Sequence, residues 1–179
     1  MSESATALLG AWSTFFVMLG SSSAALTGLM FVVIGIVTSG VRAQSSHDGI
    51  SVFSTPTVVH LCAALLISAI FLAPWRALTM PAVLTALAGG AGIAYMLLLA
   101  YRTRKFDRYR ADAEDWAWYN VLPFVAYGAL CAGGLLALGN PARATFTIAG
   151  AAVLLVFIAI RNAWDIVTYI ATGQMNSDR

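Results

Sequence analysis

The chain has 179 residues, of which 60% are hydrophobic and 10% are charged, and its formal net charge is +2. A soluble domain is usually about 45–50% apolar and about 25% charged. The composition therefore argues against an ordinary soluble protein and predicts a protein that crosses a membrane several times. The small net charge argues against nucleic-acid binding. Nine arginines against one lysine, with abundant Ala and Gly, suggest a bacterial source.

The first predicted span covers residues 12–38, which is long enough to cross a hydrocarbon core of about 30 Å with some tilt. Gly20, Ala24 and Gly28 recur every fourth residue on one helical face, where small side chains let another helix approach closely. Residues 39–54 are polar and contain glycine, so we expect a loop there.

The second and third predicted spans, 56–73 and 81–101, are separated by a short turn that includes Pro74. Thr55 suits an N-cap and Pro56 suits the first helical position. The third span has its own row of small residues, at Ala82, Ala86, Gly90 and Ala94, with Gly89 and Gly92 beside it. Each small-residue row is consistent with packing inside one subunit or with contact between subunits, and the sequence leaves both possibilities open.

Residues 102–115 carry nine of the 18 charged residues in the chain. A segment with so many charges cannot lie in hydrocarbon, and we therefore expect a water-exposed loop there. The fourth span is predicted at 117–138, with a kink at Pro123, and the fifth at 144–171, with Gly173 as its C-cap. The sequence thus predicts an all-α bundle of five transmembrane helices in a single domain.

The basic residues predict the orientation of this bundle. With the 102–115 loop in the cytoplasm, eight of the ten Lys and Arg residues lie on the inner side, and only Arg76 and Arg143 lie outside. This positive-inside bias places the N-terminus outside and the C-terminus in the cytoplasm of a bacterial inner membrane.

Polar residues within the predicted spans gather at one depth. By helical rise and the predicted topology, all of them fall in the inner leaflet; they are His60, Asn120, Arg161, Asn162 and Asp165. Arg161 and Asp165 are four residues apart and can pair. They are consistent with a pair at the membrane interface, its arginine reaching the headgroups, or with the mouth of a polar cavity.

His60 is consistent with a hydrogen-bonded packing residue. Facing Asp165, it would instead gain proton affinity and could relay protons.

Enzymatic sites find little support in this sequence. Ser22 lies near mid-membrane and His60 near the inner face, a mismatch of roughly 10 Å for a nucleophile and its base. The other histidine, His47, lies in the expected loop, which disfavours haem ligation, and no cluster has metal-ligand spacing. Cys62 and Cys131 are expected to be small buried hydrophobes. We therefore expect no enzymatic activity, no metal and no cofactor.

Two segments, FSTPTVVHLCAALLISA at 53–69 and RNAWDIVTYIA at 161–171, are similar to small uncharacterised bacterial multi-span membrane proteins. This resemblance implies a membrane location and no particular activity. The residues favour a homo-oligomeric channel or transporter-like protein, with a pathway at the subunit interface and a polar inner-leaflet site at its mouth. The alternative is a non-conducting accessory or assembly subunit of a larger membrane complex.

Overall fold

A computed structural model describes residues 2–40, 47–103 and 116–177, and within these ranges every regular element is a helix. The helices are α1 (Ser2–Gly40), α2 (His47–Leu72), α3 (Thr79–Thr103), α4 (Leu122–Leu136) and α5 (Pro141–Ser177), and a π-helical turn at Ala117–Val121 leads into α4. The expected all-α class is confirmed.

Four helical segments are long and apolar enough to cross a membrane; they are Ala5–Gly35, Thr79–Tyr101, Ala117–Leu136 and Pro141–Asp165. The apolar part of α2, Pro56–Leu72, is shorter. Large apolar side chains cover the outside of the bundle, among them Phe31, Phe146 and Trp164, which are 63%, 69% and 66% exposed. Such a surface suits contact with lipid rather than with water.

The helices form a closed circuit with one helix outside it. In this circuit α2 packs against α5, α5 against α4, and α4 against α3, and a smaller contact between α3 and α2 completes it. The long helix α1 packs mainly along α2 and touches α5. The bundle thus has an interior between α2, α3, α4 and α5, and α1 forms an additional outer layer.

Glycine allows α3 and α4 to pack with their backbones almost touching. A Cβ added at Gly134 would lie 2.5 Å from the backbone nitrogen of Ala86, and one added at Gly89 would collide with the backbone of Cys131. These contacts pair the start of α3 with the end of α4, so the two helices are antiparallel. We call the end of the bundle where α3 finishes and α4 begins the charged-loop end.

Several predicted helix ends are wrong. Of the predicted loop 39–54, residues 39 and 40 are in α1, residues 47–54 are in α2, and 41–46 lie outside the described residues. Thr55 is therefore no N-cap, and Pro56 lies inside the helix. Likewise α5 continues past Gly173 to Ser177. A change from apolar to polar residues marks where a helix leaves hydrocarbon, and a helix can continue beyond that point because its backbone groups bond within it. Of the predicted loop 102–115, residues 102 and 103 are in α3, and 104–115 lie outside the described residues.

The irregularity expected at Pro123 is a π-helical turn immediately before it, rather than a simple kink. The N–H of Leu122 donates to the carbonyl of Ala117, five residues back rather than four. Proline has no N–H, and its ring would clash with the carbonyl four residues earlier in a regular α-helix. A wider turn before Pro123 relieves that clash, and such turns recur at functional sites.

Candidate functional site in the bundle interior

The core of the candidate site is a hydrogen bond between His60 of α2 and Tyr127 of α4. Nδ1 of His60 lies 2.9 Å from the hydroxyl of Tyr127, and the two rings are tilted against each other with centroids 5.6 Å apart. His60 is 0% exposed and Tyr127 is 2% exposed. Since α2 and α4 are not neighbours in the helix circuit, this bond crosses the bundle interior.

The backbone of α3 makes room for the tyrosine. A Cβ at Gly92 would collide with ring atoms of Tyr127, so only glycine lets the ring occupy this position. The ring then extends toward α2, where its hydroxyl meets the imidazole. A buried tyrosine hydroxyl needs such a partner, because an unpaired one costs about 1–3 kcal/mol.

The second ring nitrogen of His60, Nε2, differs from Nδ1 in its hydrogen bonding. Nε2 is buried, and no atom of the described residues forms a hydrogen bond with it. In either tautomer, a neutral imidazole has one donor nitrogen and one acceptor nitrogen. Nε2 therefore offers whichever role Nδ1 does not use toward Tyr127.

Asn162 of α5 has the same property. Its side chain is 0% exposed, and neither its Oδ1 nor its Nδ2 has a hydrogen-bond partner among the described residues. An amide carries two donors and a two-lone-pair acceptor. Unpaired buried groups of this kind are rare in native proteins and call for a physical explanation.

Helix register places Asn162 closer to the charged-loop end than Tyr127. A Cβ at Gly133 would lie 2.7 Å from Cγ1 of Ile148, which aligns α4 and α5 as antiparallel neighbours. Counting along both helices from that contact, Tyr127 is level with residue 154 of α5, and Asn120 is level with Arg161. Asn162 is thus about 12 Å beyond the Cα level of Tyr127 along α5. The tyrosine side chain reduces this gap, because helical side chains lean toward the N-terminus of their helix.

The remaining polar residues lie near the level of Asn162, on the side of the charged-loop end. Arg161 and Asp165 form an ion pair, and their side chains are 32% and 30% exposed. Thr168 donates to the carbonyl of Trp164 or of Asp165. Asn120 is half-buried within the π-helical turn. Of the five predicted polar residues, His60 and Asn162 are therefore fully buried, and the other three are at least partly accessible.

His60 is paired with Tyr127 rather than with Asp165, which the sequence had suggested as its partner. Both described contacts of the His60 ring, the hydrogen bond and the ring contact, are with Tyr127, whereas Asp165 is paired with Arg161. Tyr127 was not among the residues singled out from the sequence. A tyrosine one turn after Pro123 within an apolar helix, which must find a partner for its hydroxyl, is the signal that could have identified it.

The predicted small-residue faces divide between interior and surface. Gly20 is buried against Ser68, and Ala82 is buried against α4, near Gly134. Ala86 and Gly90 are half-buried, and a Cβ at Gly90 would meet no atom within 4 Å. Ala24, Gly28 and Ala94 are exposed on the surface of the protomer.

Cys62 and Cys131 are free thiols; Cys62 is exposed and Cys131 is half-buried, whereas both were expected to be buried. No group of three or more potential metal ligands occurs among the described residues. A separate cavity of about 220 Å³ lies between the first turns of α1 and the end of α2, next to Phe71 and Trp75. It is about 16 Å from His60 along α2 and is not part of this site.

The chain is therefore an all-α protein with helices suited to a membrane and a buried, hydrogen-bonded histidine–tyrosine pair in its interior. Comparison with known protein families, with curated proteins and with solved structures finds no match.

Proposed function

We propose that this chain is a small multi-pass protein of a bacterial inner membrane that acts as a homo-oligomeric channel or transporter-like protein. Its polar site lies inside each protomer rather than at the subunit interface, because His60 and Asn162 are fully buried within one protomer. The observation that carries the proposal is the buried His60–Tyr127 pair, with Nε2 of His60 and the amide of Asn162 left without protein partners among the described residues.

Energetics favour a functional role for these groups. In an apolar surrounding each polar atom without a hydrogen bond is destabilising, and polar residues within membrane helices mark ligand, ion or proton pathways. For packing alone, leucine in place of His60 with phenylalanine in place of Tyr127 would fill a similar volume without that penalty. The retained polar groups therefore support a pathway through the protomer.

Buried polar groups also continue toward the opposite end of the bundle. The hydroxyl of Thr85 on α3 is buried without a hydrogen-bond partner among the described residues. Thr85 lies between Ala82 and Ala86, whose backbones adjoin Gly134 near the end of α4. Asn162, His60 and Thr85 thus mark three successive levels along the bundle, as a route across it requires.

The homo-oligomer is supported by the outer face of α1. Ala24 and Gly28 are exposed, and a Cβ at Gly28 would meet no atom within 4 Å. The protomer itself leaves this small-residue face free, so a second copy of the chain can pack there closely. Oligomerisation would then hold the protomers together, while each protomer keeps its own polar site.

The alternative is a non-conducting accessory subunit that uses the same face of α1 to dock on a larger membrane complex. One purification separates the two functions. The protein is isolated in lipid nanodiscs for mass measurement, and it is reconstituted in liposomes for flux of protons, K⁺ and small neutral solutes. A closed homo-oligomer with flux that His60→Leu/Tyr127→Phe removes supports the proposal. A monomer that co-purifies with other membrane subunits and shows no flux contradicts it.

A further inference from the structure

The interior site also indicates the chemical class of what it binds. We infer that the bundle interior binds a small uncharged molecule that both donates and accepts hydrogen bonds, with His60 Nε2 as its first contact and the Asn162 amide as its second. The inference deepens the proposed function and rests on it for the role in transport, but binding itself requires only one folded protomer.

The donor and acceptor inventory sets the hydrogen-bonding character of the guest. Asn162 presents both a donor and an acceptor without partners among the described residues, and Nε2 of His60 presents one or the other. A molecule with only acceptors or only donors would leave part of this set unpaired. Water, primary amides and small alcohols carry both functions.

The distribution of charge argues for neutrality. Near this site, the described residues with ionic side chains are Arg161 and Asp165, and they neutralise each other. His60 is bonded to a phenol rather than to a carboxylate. A charged guest would therefore enter an apolar interior without a counter-charge from the described residues, at a desolvation penalty that a neutral guest avoids.

Enclosure limits size and requires motion. Nε2 of His60 and the amide of Asn162 are sealed from the outside in this conformation. A guest reaches them when the helices separate, and the π-helical turn before Pro123 is a point where α4 can bend. Only a guest of a few atoms fits beside His60, where the Tyr127 ring is packed directly against α3 at Gly92.

Three isosteric probes test this inference: acetamide, acetate and acetamidinium share one shape and differ in charge. The chain has two histidines, so in His47→Gln protein with ¹⁵N-labelled histidine His60 is the only labelled imidazole, and its Nδ1 and Nε2 resonances are distinct. In lipid nanodiscs, the Nε2 resonance is followed as each probe is added, and magnetisation transfer from water to the ring is recorded without probe.

The inference predicts a saturable shift of the Nε2 resonance with acetamide and none with the two ions. In Asn162→Leu protein, acetamide should be required at several-fold higher concentration for half-saturation. Water transfer to Nε2 without an acetamide response assigns the guest as water, the smallest member of the class. A response to acetate or acetamidinium equal to that to acetamide overturns the inference, as does the absence of both water transfer and acetamide response.

These outcomes are distinct from failure of the proposed function. An acetamide response in a protein without flux disproves transport and retains the binding site. Flux in a protein whose His60 responds to neither water nor acetamide supports transport and disproves the binding site.

Discussion

The ring of Tyr127 lies directly against the α-carbon of Gly92, where a Cβ would overlap the ring. This contact between α3 and α4 fixes the position of the tyrosine hydroxyl, and through it the position of the His60 imidazole. The candidate site therefore depends on Gly92, a residue without a side chain.

The first prediction follows from this contact. Gly92→Ala should destabilise the bundle by about 1–3 kcal/mol, because the added methyl group overpacks the ring of Tyr127. Gly90→Ala is the matched control on the same helix, since a Cβ there meets no atom within 4 Å. The control should be neutral or slightly stabilising, because alanine favours helix over glycine by about 1 kcal/mol. Reversible unfolding in bicelles measures both, and equal effects of the two substitutions would contradict the described packing.

The second prediction concerns the His60–Tyr127 hydrogen bond. His60→Leu and Tyr127→Phe each leave a buried polar atom unpaired, which costs about 1–3 kcal/mol. The double variant removes both partners, so its free energy of unfolding should fall by less than the sum of the single changes, with a coupling of about 0.5–3 kcal/mol. Strict additivity in this double-mutant cycle would mean that the two side chains do not interact.

The sequence shows why this pair could not be predicted. Runs of apolar residues are visible locally, and they gave the helical class and the approximate spans. Which glycine packs closely is decided by the neighbouring helix: the predicted face contains Gly90 with Gly89 and Gly92 beside it, and only Gly89 and Gly92 of these three make tight contacts with α4. His60 and Tyr127 are 67 residues apart, and no local pattern joins them. Helix counting predicted one depth for the polar residues, because helical rise is constant, whereas the packing of α4 against α5 separates Asn162 from the level of Tyr127 by about 12 Å.

The third prediction concerns the ion pair on α5. Asp165→Ala alone should reduce stability more than Arg161→Ala/Asp165→Ala, because the single change leaves an arginine partly buried without its carboxylate. Since each side chain is about one-third exposed, the difference is expected to be modest. Thermal unfolding in the same lipid nanodiscs compares the variants. Equal melting temperatures for the single and double variants would show that the pair is only an interfacial feature.

The fourth prediction concerns the outer face of α1. Gly28→Leu should disrupt the homo-oligomer and leave the protomer folded, because nothing in the protomer lies within 4 Å of the added side chain's Cβ. Gly150→Leu is the matched control, at another exposed glycine with open space around it, on α5. Native mass spectrometry reports the stoichiometry of each. An oligomer that survives Gly28→Leu but not Gly150→Leu would move the interface from α1 to α5.

We propose that α2 crosses the membrane despite its shorter apolar segment, which would keep His60 inside the bundle within the bilayer. Single-cysteine labelling from each side of sealed vesicles decides this, in a background without Cys62 and Cys131. With five crossings, Arg108→Cys and a cysteine at the C-terminus should react only from the cytoplasmic side, whereas Asn140→Cys and a cysteine at the N-terminus should react only from the opposite side. Labelling of both termini from the same side would mean an even number of crossings and would contradict the crossing of α2.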